Sequence, residues 1–315
     1  MKTPKYYIAT HSGNFHTDDI LSTAILHTIY PKYTVIRSRD PNIINNATIA
    51  YDVGQIYDHI QQRYDHHMSN PPLRGPNAPY SAAGLIWRHY AENYLQTILP
   101  HATSYHQDII DHITNTWIIL IDAEDNGYGN GPHSPIYTLV QHMRPITEQP
   151  NNDFGDSYEK IYQEHFNRLI PIVQTMFRHA CIETYHQLFI KQYIQHTINE
   201  QQNNIQQYHT IISEHQINDH SLLSNTPICF IIYPREPNNP RTEWGINCVS
   251  PPNNPWNQKI PLPHRWRGLS NEALQHASNI PGAIFIHHRQ FFGIAKDKES
   301  ALTIIQQAIK DNTDK

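Results

Sequence analysis

Apolar positions change period several times along the first half of this chain. Tyr6 to Thr10 is a short apolar run with the length of a buried strand. Ile20, Leu21, Ala24, Ile25 and Ile29 then recur at helical spacing. They predict a helix from Asp18 to Ile29, capped by Thr17 or Asp18 and stopped by Pro31. Tyr33 to Arg37 and Thr48 to Val53 return to strand-like patterning. The Pro-rich stretch 69–79 predicts a loop. Ser81 is placed to cap a helix that turns Ala82, Leu85, Ile86 and Tyr90 inward, and a further helix is expected over 104–114. Trp117 to Ile121 reads as an apolar strand that ends at Asp122. Strands alternating with helices imply a mostly parallel sheet covered on both faces.

The second half is patterned differently. Residues 155–218 hold one Pro, at 171, and are rich in Gln, Tyr, His and Ile, which predicts two or three helices, some long. Pro227 to Tyr233 and Trp244 to Val249 read as paired strands. Pro-rich loops follow at 251–263. Ala283 to His288 and Phe291 to Ala295 read as a hairpin, and Glu299 to Ile309 as a terminal helix. The expected class is therefore α/β, with a sheet domain over 1–150, a helical connection over 151–220 and a smaller α+β domain over 221–315.

Composition narrows the chemistry. The net charge is -5 with His neutral, which is not the basic footprint of a duplex-DNA binder. Histidine equals Lys and Arg combined, at 23 residues each, so a lone His carries little weight and only clusters with carboxylates stand out. Cys181, Cys229 and Cys248 form no CxxC and read as buried thiols in a reducing compartment. Met1 to Lys5 leads straight into a strand without a signal-peptide core, and no apolar run reaches the roughly 18 residues of a membrane span. A soluble, cytoplasmic protein with no membrane partner is expected.

Two clusters carry the chemistry. His11-Ser12-Gly13-Asn14-Phe15-His16-Thr17-Asp18-Asp19 lies at a strand-to-helix junction. Asp52-Val53-Gly54 is followed by Arg63-Tyr64-Asp65-His66-His67. Each could be no more than a polar loop with capping or turn residues. Their clustering favours ligand roles for at least two of His11, His16 and Asp18. Asp19 is a candidate to hold a histidine's second ring nitrogen, or to stabilise the helix start. Asp52 reads equally as a ligand or a turn residue. In Asp65-His66-His67, one imidazole can bind metal while the other contacts phosphate or orients a ligand. Asp122 is favoured as a further ligand over Asp125, which also reads as part of an Asp-Asn-Gly turn.

About three His and three or four Asp suit Mn²⁺ or Mg²⁺ better than a structural zinc, and the number is enough for two ions. Such a centre activates water against phosphoesters. No GxGxxG, Walker, HExxH or GxSxG pattern competes. In the second half Arg267 is a candidate phosphate contact, with His287, Arg289 and Lys296 nearby, whereas Trp266 reads as a core residue rather than a base-stacking one.

Seven segments, in order, resemble the motifs of the MYG exonuclease family. They are Thr10 to Asp19, Tyr51-Asp52-Val53-Gly54, Arg63 to His67, Ser81 to Ile86, Ile121 to Gly127, Pro261 to Leu269, and Ile280 to His287. The resemblance spans nearly the whole chain. That family is similar in turn to the DHH phosphoesterase superfamily, whose triplet matches Asp65-His66-His67. The resemblance implies a DHH-like parallel-sheet catalytic domain, a smaller substrate-binding domain and a Mn²⁺- or Mg²⁺-dependent site between them. It implies 3′→5′ exonuclease activity on single-stranded RNA or short oligonucleotides. It places His11, His16, Asp18, Asp52, His66 and Asp122 at metal positions and turns His67 toward the scissile phosphate. Asp65 and Asp19 are carried as supporting catalytic carboxylates, and Arg267, His287, Arg289 and Lys296 as substrate contacts. A homodimer is a candidate assembly. The chain departs from the pattern at Gln55, where the family has Gly, at Met68, where Gln is common, and at Gly293-Ile294-Ala295-Lys296. A small nucleotide or cyclic dinucleotide substrate, or a metal-stabilised binding protein without turnover, are the competing readings.

Overall fold

A computed structural model describes residues 4–128, 131–145, 155–214, 216–217 and 220–313. The chain divides into two compact units, Met1–Gln187 and Leu188–Lys315.

The first unit follows the predicted alternation. Its strands are β1 (Tyr7–Thr10), β2 (Thr34–Arg37), β3 (Ile49–Tyr51), β4 (Tyr57–Asp58) and β5 (Arg63–Tyr64), with α1 (Thr17–Ile29) and α2 (Pro41–Asn45) between them. The sheet order is β2-β1-β3-β5-β4. The pairs β1/β2, β1/β3 and β3/β5 are parallel and β4/β5 is antiparallel. Tyr7 and Ala9 of β1 pack with Ala50, Val53 and Ile44 in one apolar layer. The stretch expected as a loop over 69–79 contains a short hairpin, β6 (Leu73–Gly75) and β7 (Ala78–Pro79). Helix α3 (Ala82–Ile98) follows, capped by Ser81 as expected, and packs on α1.

Two local readings are corrected. His16, not Thr17 or Asp18, is the residue that caps α1, and Asp19 accepts the His16 backbone N–H at 3.1 Å. Trp117 to Ile121 is not a strand. It lies in a continuous helix built from α4 (His106–Ile113), a π-helical turn (Thr114–Ile118) and α5 (Ile119–Asn126). A short apolar run bounded by polar residues fits either a buried strand or a buried helix, and periodicity alone does not separate them. Helix α6 (Tyr137–Met143) follows. Then comes α7 (Gly155–Glu200), one helix of 46 residues that runs through Pro171.

The second unit begins within α7. After α8 (Gln202–Tyr208) it forms a sheet from β8 (Thr210–Ile212), β9 (Phe230–Pro234), β10 (Trp244–Cys248), β11 (Ala283–Ile286) and β12 (Phe292–Ala295), in the order β11-β12-β10-β9-β8. All pairs are antiparallel except β8/β9. Helices α9 (Asn271–Ser278) and α10 (Lys298–Thr313) contribute Leu274, Ala301, Ile304 and Ile305 to a core that includes Trp266. Trp266 is 1% exposed, so it closes the core. All three cysteines are free and buried. Among the described residues, no helix is long and apolar enough to cross a membrane.

Candidate metal centre

Three neighbouring parallel strands of the first unit end at the same edge. His11 follows β1, Asp52 follows β3, and Asp65, His66 and His67 follow β5. The carboxyl edge of a parallel sheet is where open α/β folds place their ligands. The start of α1 adds His16, Asp18 and Asp19, and the end of α5 adds Asp125. Potential ligand atoms from these nine residues fall into overlapping groups, each within 4.8 Å.

The geometry is tight. His11 Nε2 lies 2.9 Å from Asp19 Oδ2 and 3.1 Å from Asp52 Oδ2. His66 Nε2 lies 3.3 Å from Asp52 Oδ1 and 3.0 Å from Asp125 Oδ2. These last three atoms are buried and close, yet none is aligned for a hydrogen bond. Both oxygens of Asp18, which is fully buried, are likewise without a hydrogen-bond partner. An unsatisfied buried acceptor costs about 1–3 kcal/mol, more when charged. Carboxylate oxygens and an imidazole nitrogen converging on one buried space suit a cation, whether a proton on His66 or a metal ion. The donor set is carboxylate oxygen and imidazole nitrogen without thiolate, which matches Mn²⁺ or Mg²⁺ chemistry. The clusters could therefore hold divalent metal ions.

Charge balance points the same way. Burial raises the Asp18 carboxyl well above its ordinary value, and Asp125, Asp52 and Asp19 raise it further. Burial works against charge on Asp52 as well, but the His11 and His66 imidazoles overcome it and hold Asp52 low. For His11 and His66, burial disfavours the cation, yet the flanking carboxylates push both up to about 11. Protons on these imidazoles neutralise the carboxylates when no metal does.

Asp65 has a different task. Its Oδ1 accepts from the backbone N–H of His66 at 2.7 Å and of His67 at 3.1 Å, and from His67 Nδ1 at 2.7 Å. Its Oδ2 accepts from the Gln55 backbone N–H. Asp65 thus folds the turn after β5 and orients His67, whose side chain is 56% exposed. Asp52 sits at φ 54° and Gly54 at φ 97°, so the β3–β4 turn passes through the left-handed region at both residues. A left-handed non-glycine residue costs about 1–2 kcal/mol, and such strain gathers at functional sites.

Asp122, expected as a ligand, lies outside these groups of ligand atoms. Its Oδ1 accepts from Ser81 N at 2.9 Å and Ser81 Oγ at 2.8 Å, and its Oδ2 from Arg74 Nε at 2.9 Å and Nη2 at 2.6 Å. With its acceptors already committed to these donors, it ties α5 to the 73–79 hairpin and to the start of α3. Burial raises its carboxyl, and Arg74 and Ser81 pull the other way. One helical turn further on, Asp125 reaches the cluster and Asn126 Oδ1 lies 3.3 Å from His66 Nδ1. Reading 117–121 as a strand hid this i, i+3 relation. Helical spacing would have shown that Asp122 and Asp125 share a face.

Other contacts had no sequence signal. Gly13 is held from both sides: Arg37 Nη2 donates to its carbonyl at 2.6 Å, and its N–H donates to Glu159 Oε2 at 3.0 Å. Arg144 Nε donates to the Phe15 carbonyl at 2.7 Å. The loop after β1 is thereby pinned by β2, α7 and the end of α6. In the second unit, Arg267, Arg289 and Lys296 are exposed and His287 is half-buried. Arg267 Nη1 lies 2.9 Å from His264 Nε2, and the Arg289 N–H donates to His287 Nδ1 at 3.2 Å.

Comparison with known proteins places this arrangement. Residues 7–309 match the MYG1 exonuclease profile, described as an uncharacterised protein family (UPF0160). The chain belongs to the MYG1 exonuclease family. Among its MYG1 relatives, the "MYG1 exonuclease" of Homo sapiens is 29% identical over 96% of this chain and 85% of its own length. The "MYG1 exonuclease" of Rattus norvegicus is 28% identical over 97% and 85%. The "MYG1 protein" of Dictyostelium discoideum is 26% identical over 94% of each. No solved structure matches the chain.

Proposed function

We propose that this protein is a metal-dependent phosphodiesterase that shortens RNA or short oligonucleotides as a 3′→5′ exonuclease. The observation that carries this reading is the convergence of unsatisfied buried acceptors from Asp18, Asp52 and Asp125 with His66 Nε2 at one sheet edge. His11, His16, Asp18, Asp52, His66 and Asp125 would hold two Mn²⁺ or Mg²⁺ ions. When bound, such ions neutralise phosphate oxygens and lower the pKa of water. The chain's own groups account for the rest. In hydrolysis the water oxygen bonds to phosphorus, the bond from phosphorus to the leaving sugar oxygen breaks, and that oxygen takes a proton. His67 donates from Nδ1 to Asp65, and Asp65 raises the imidazole's affinity for its proton. This leaves Nε2–H available to a phosphate or a leaving oxygen. Names of relatives that include "exonuclease" support the same reaction class.

Incubating purified protein with end-labelled single-stranded RNA and DNA, with Mn²⁺ or with EDTA, tests the reading. Stepwise shortening with Mn²⁺, abolished by EDTA and by Asp18→Ala, is expected. An active Asp18→Ala protein, or no shortening of either strand with Mn²⁺ present, contradicts it.

A further inference from the structure

A cleft of about 600 Å³ opens beside the cluster, entirely within the first unit. His11, His16, Asp52 and His67 are part of its lining. The rest of the lining has a different chemistry. Pro41, Ile44 and Val53 are apolar, and Arg39, Asn45 and Gln55 are polar. Its size lies inside the range of about 300–1,000 Å³ typical of sites for one small ligand.

Arg39 is a cation without an anion. Among the described residues it forms no ion pair with a carboxylate, and its near neighbour is His11 Nδ1 at 3.4 Å. That nitrogen also lies 3.1 Å from the Ser12 carbonyl, while His11 Nε2 faces the carboxylates of Asp19 and Asp52. Apart from this one long contact, the guanidinium donors of Arg39 have no partner among the described residues. A phosphate oxygen is the acceptor a guanidinium matches best.

The amides are also unspent. The side chains of Asn45 and Gln55 are exposed and have no hydrogen-bond partner among the described residues. Gln55 sits at φ 58°, in the left-handed region that favours glycine. Beside it, Gly54 lets the turn approach Ile44, since a Cβ there would lie 3.1 Å from Ile44 Cγ2.

We infer that this cleft receives a single terminal nucleotide, with Arg39 on its phosphate, Ile44 and Val53 against its sugar or base, and Asn45 and Gln55 at its polar edges. The inference rests on the phosphodiesterase reading and deepens it. A pocket for one nucleotide next to the ligand cluster admits a chain end, which is what cutting from an end requires. The first unit then supplies recognition as well as ligands.

The test is equilibrium binding of AMP, adenosine and ribose 5-phosphate to the Mn²⁺-loaded full chain, with hydrolysis of a labelled RNA pentamer measured in parallel. Wild type should bind AMP more tightly than either fragment. Arg39→Ala should weaken AMP binding by at least about tenfold, leave adenosine binding and Mn²⁺ affinity unchanged, and raise KM for the pentamer. Arg39→Lys should restore it only in part, since an ammonium does not form the paired contacts of a guanidinium. Gln55→Ala should narrow the differences among AMP, UMP, GMP and CMP. AMP affinity unchanged in Arg39→Ala, in a protein that still shortens RNA, overturns the pocket and leaves the phosphodiesterase reading standing. AMP binding that depends on Arg39, in a protein that cleaves no nucleic acid, upholds the pocket and overturns that reading. Ribose 5-phosphate bound as tightly as AMP also overturns the pocket, since it would then be a phosphate site only.

Discussion

Replacing Asp122 by asparagine separates a structural carboxylate from a ligand. The amide keeps the side-chain size and one oxygen, so the two bonds from Ser81 can persist. Its NH₂ then faces Arg74 Nε and Nη2, two donors that now sit at 2.9 and 2.6 Å from a carboxylate oxygen. Hydrogen bonds to charged groups are worth about 1.5–3 kcal/mol each, which sets a ceiling near twice that. The Arg74 side chain is 21% exposed and can turn to water, so the low end applies and the loss should be about 3 kcal/mol. That is a large share of a typical stability of about 5–15 kcal/mol. Urea unfolding of EDTA-treated protein should therefore show a clear drop in midpoint for Asp122→Asn. Asp125→Asn should act on the metal instead. It relieves Asp18 of a neighbouring charge but also takes from His66 its partner at 3.0 Å, two opposed effects on the metal-free protein, while Mn²⁺ affinity measured by calorimetry should fall much further than in Asp122→Asn. An Asp122→Asn protein with the wild-type midpoint and no Mn²⁺ binding would refute the reasoning.

Three further outcomes follow from the same geometry. His11 and His66 hold their protons up to about 11 in the folded metal-free chain, against 6.5 when free. Their contribution is complete below pH 6.5 and lost as pH rises toward 11, so Tm in EDTA should fall between pH 7 and 10. Mn²⁺ needs the deprotonated imidazoles, so the Tm gain on adding Mn²⁺ should widen over that interval; a constant gain argues against these ligands. Gly84→Ala should destabilise despite alanine's helix propensity advantage of about 1 kcal/mol. A Cβ there overlaps Asp122 Oδ1 and comes within 2.9 Å of Tyr80 Cδ1, and a rise in urea midpoint would contradict the clasp. His67→Gln should cut turnover by about 10²–10⁴-fold while Mn²⁺ affinity is kept, because this side chain is exposed and pairs with Asp65; loss of Mn²⁺ binding would make His67 a ligand instead.

Much of the first unit was legible because its elements have distinct periods. Tyr7–Thr10, Thr34–Arg37 and Ile49–Tyr51 fall where apolar runs were short, and α1 follows the spacing of Ile20, Leu21, Ala24 and Ile25. The ligand loops could be found because each follows a strand of the same parallel sheet, and sheet order then makes them neighbours. The π-helical turn at Thr114–Ile118 could not be found that way. The apolar residues that run from it into α5, Trp117 to Ile121, satisfy a buried helix and a buried strand equally, and choosing the strand favoured Asp122 over Asp125, whereas Asp125 is the one that reaches the cluster. Long-range polar contacts were beyond sequence pattern altogether. Nothing local relates Arg37 and Glu159, which hold the two sides of Gly13. The single span of α7 through Pro171 was also hidden, since proline usually marks a break.

The central claim is that the sheet-edge cluster grips divalent cations. A crystal of the full chain soaked in Mn²⁺ and measured for anomalous scattering tests it most directly. Two peaks bounded by Asp18, Asp52, His66 and Asp125, with Asp122 still joined to Arg74, are the predicted result. A map without peaks at that edge, or a peak on Asp122, would contradict it.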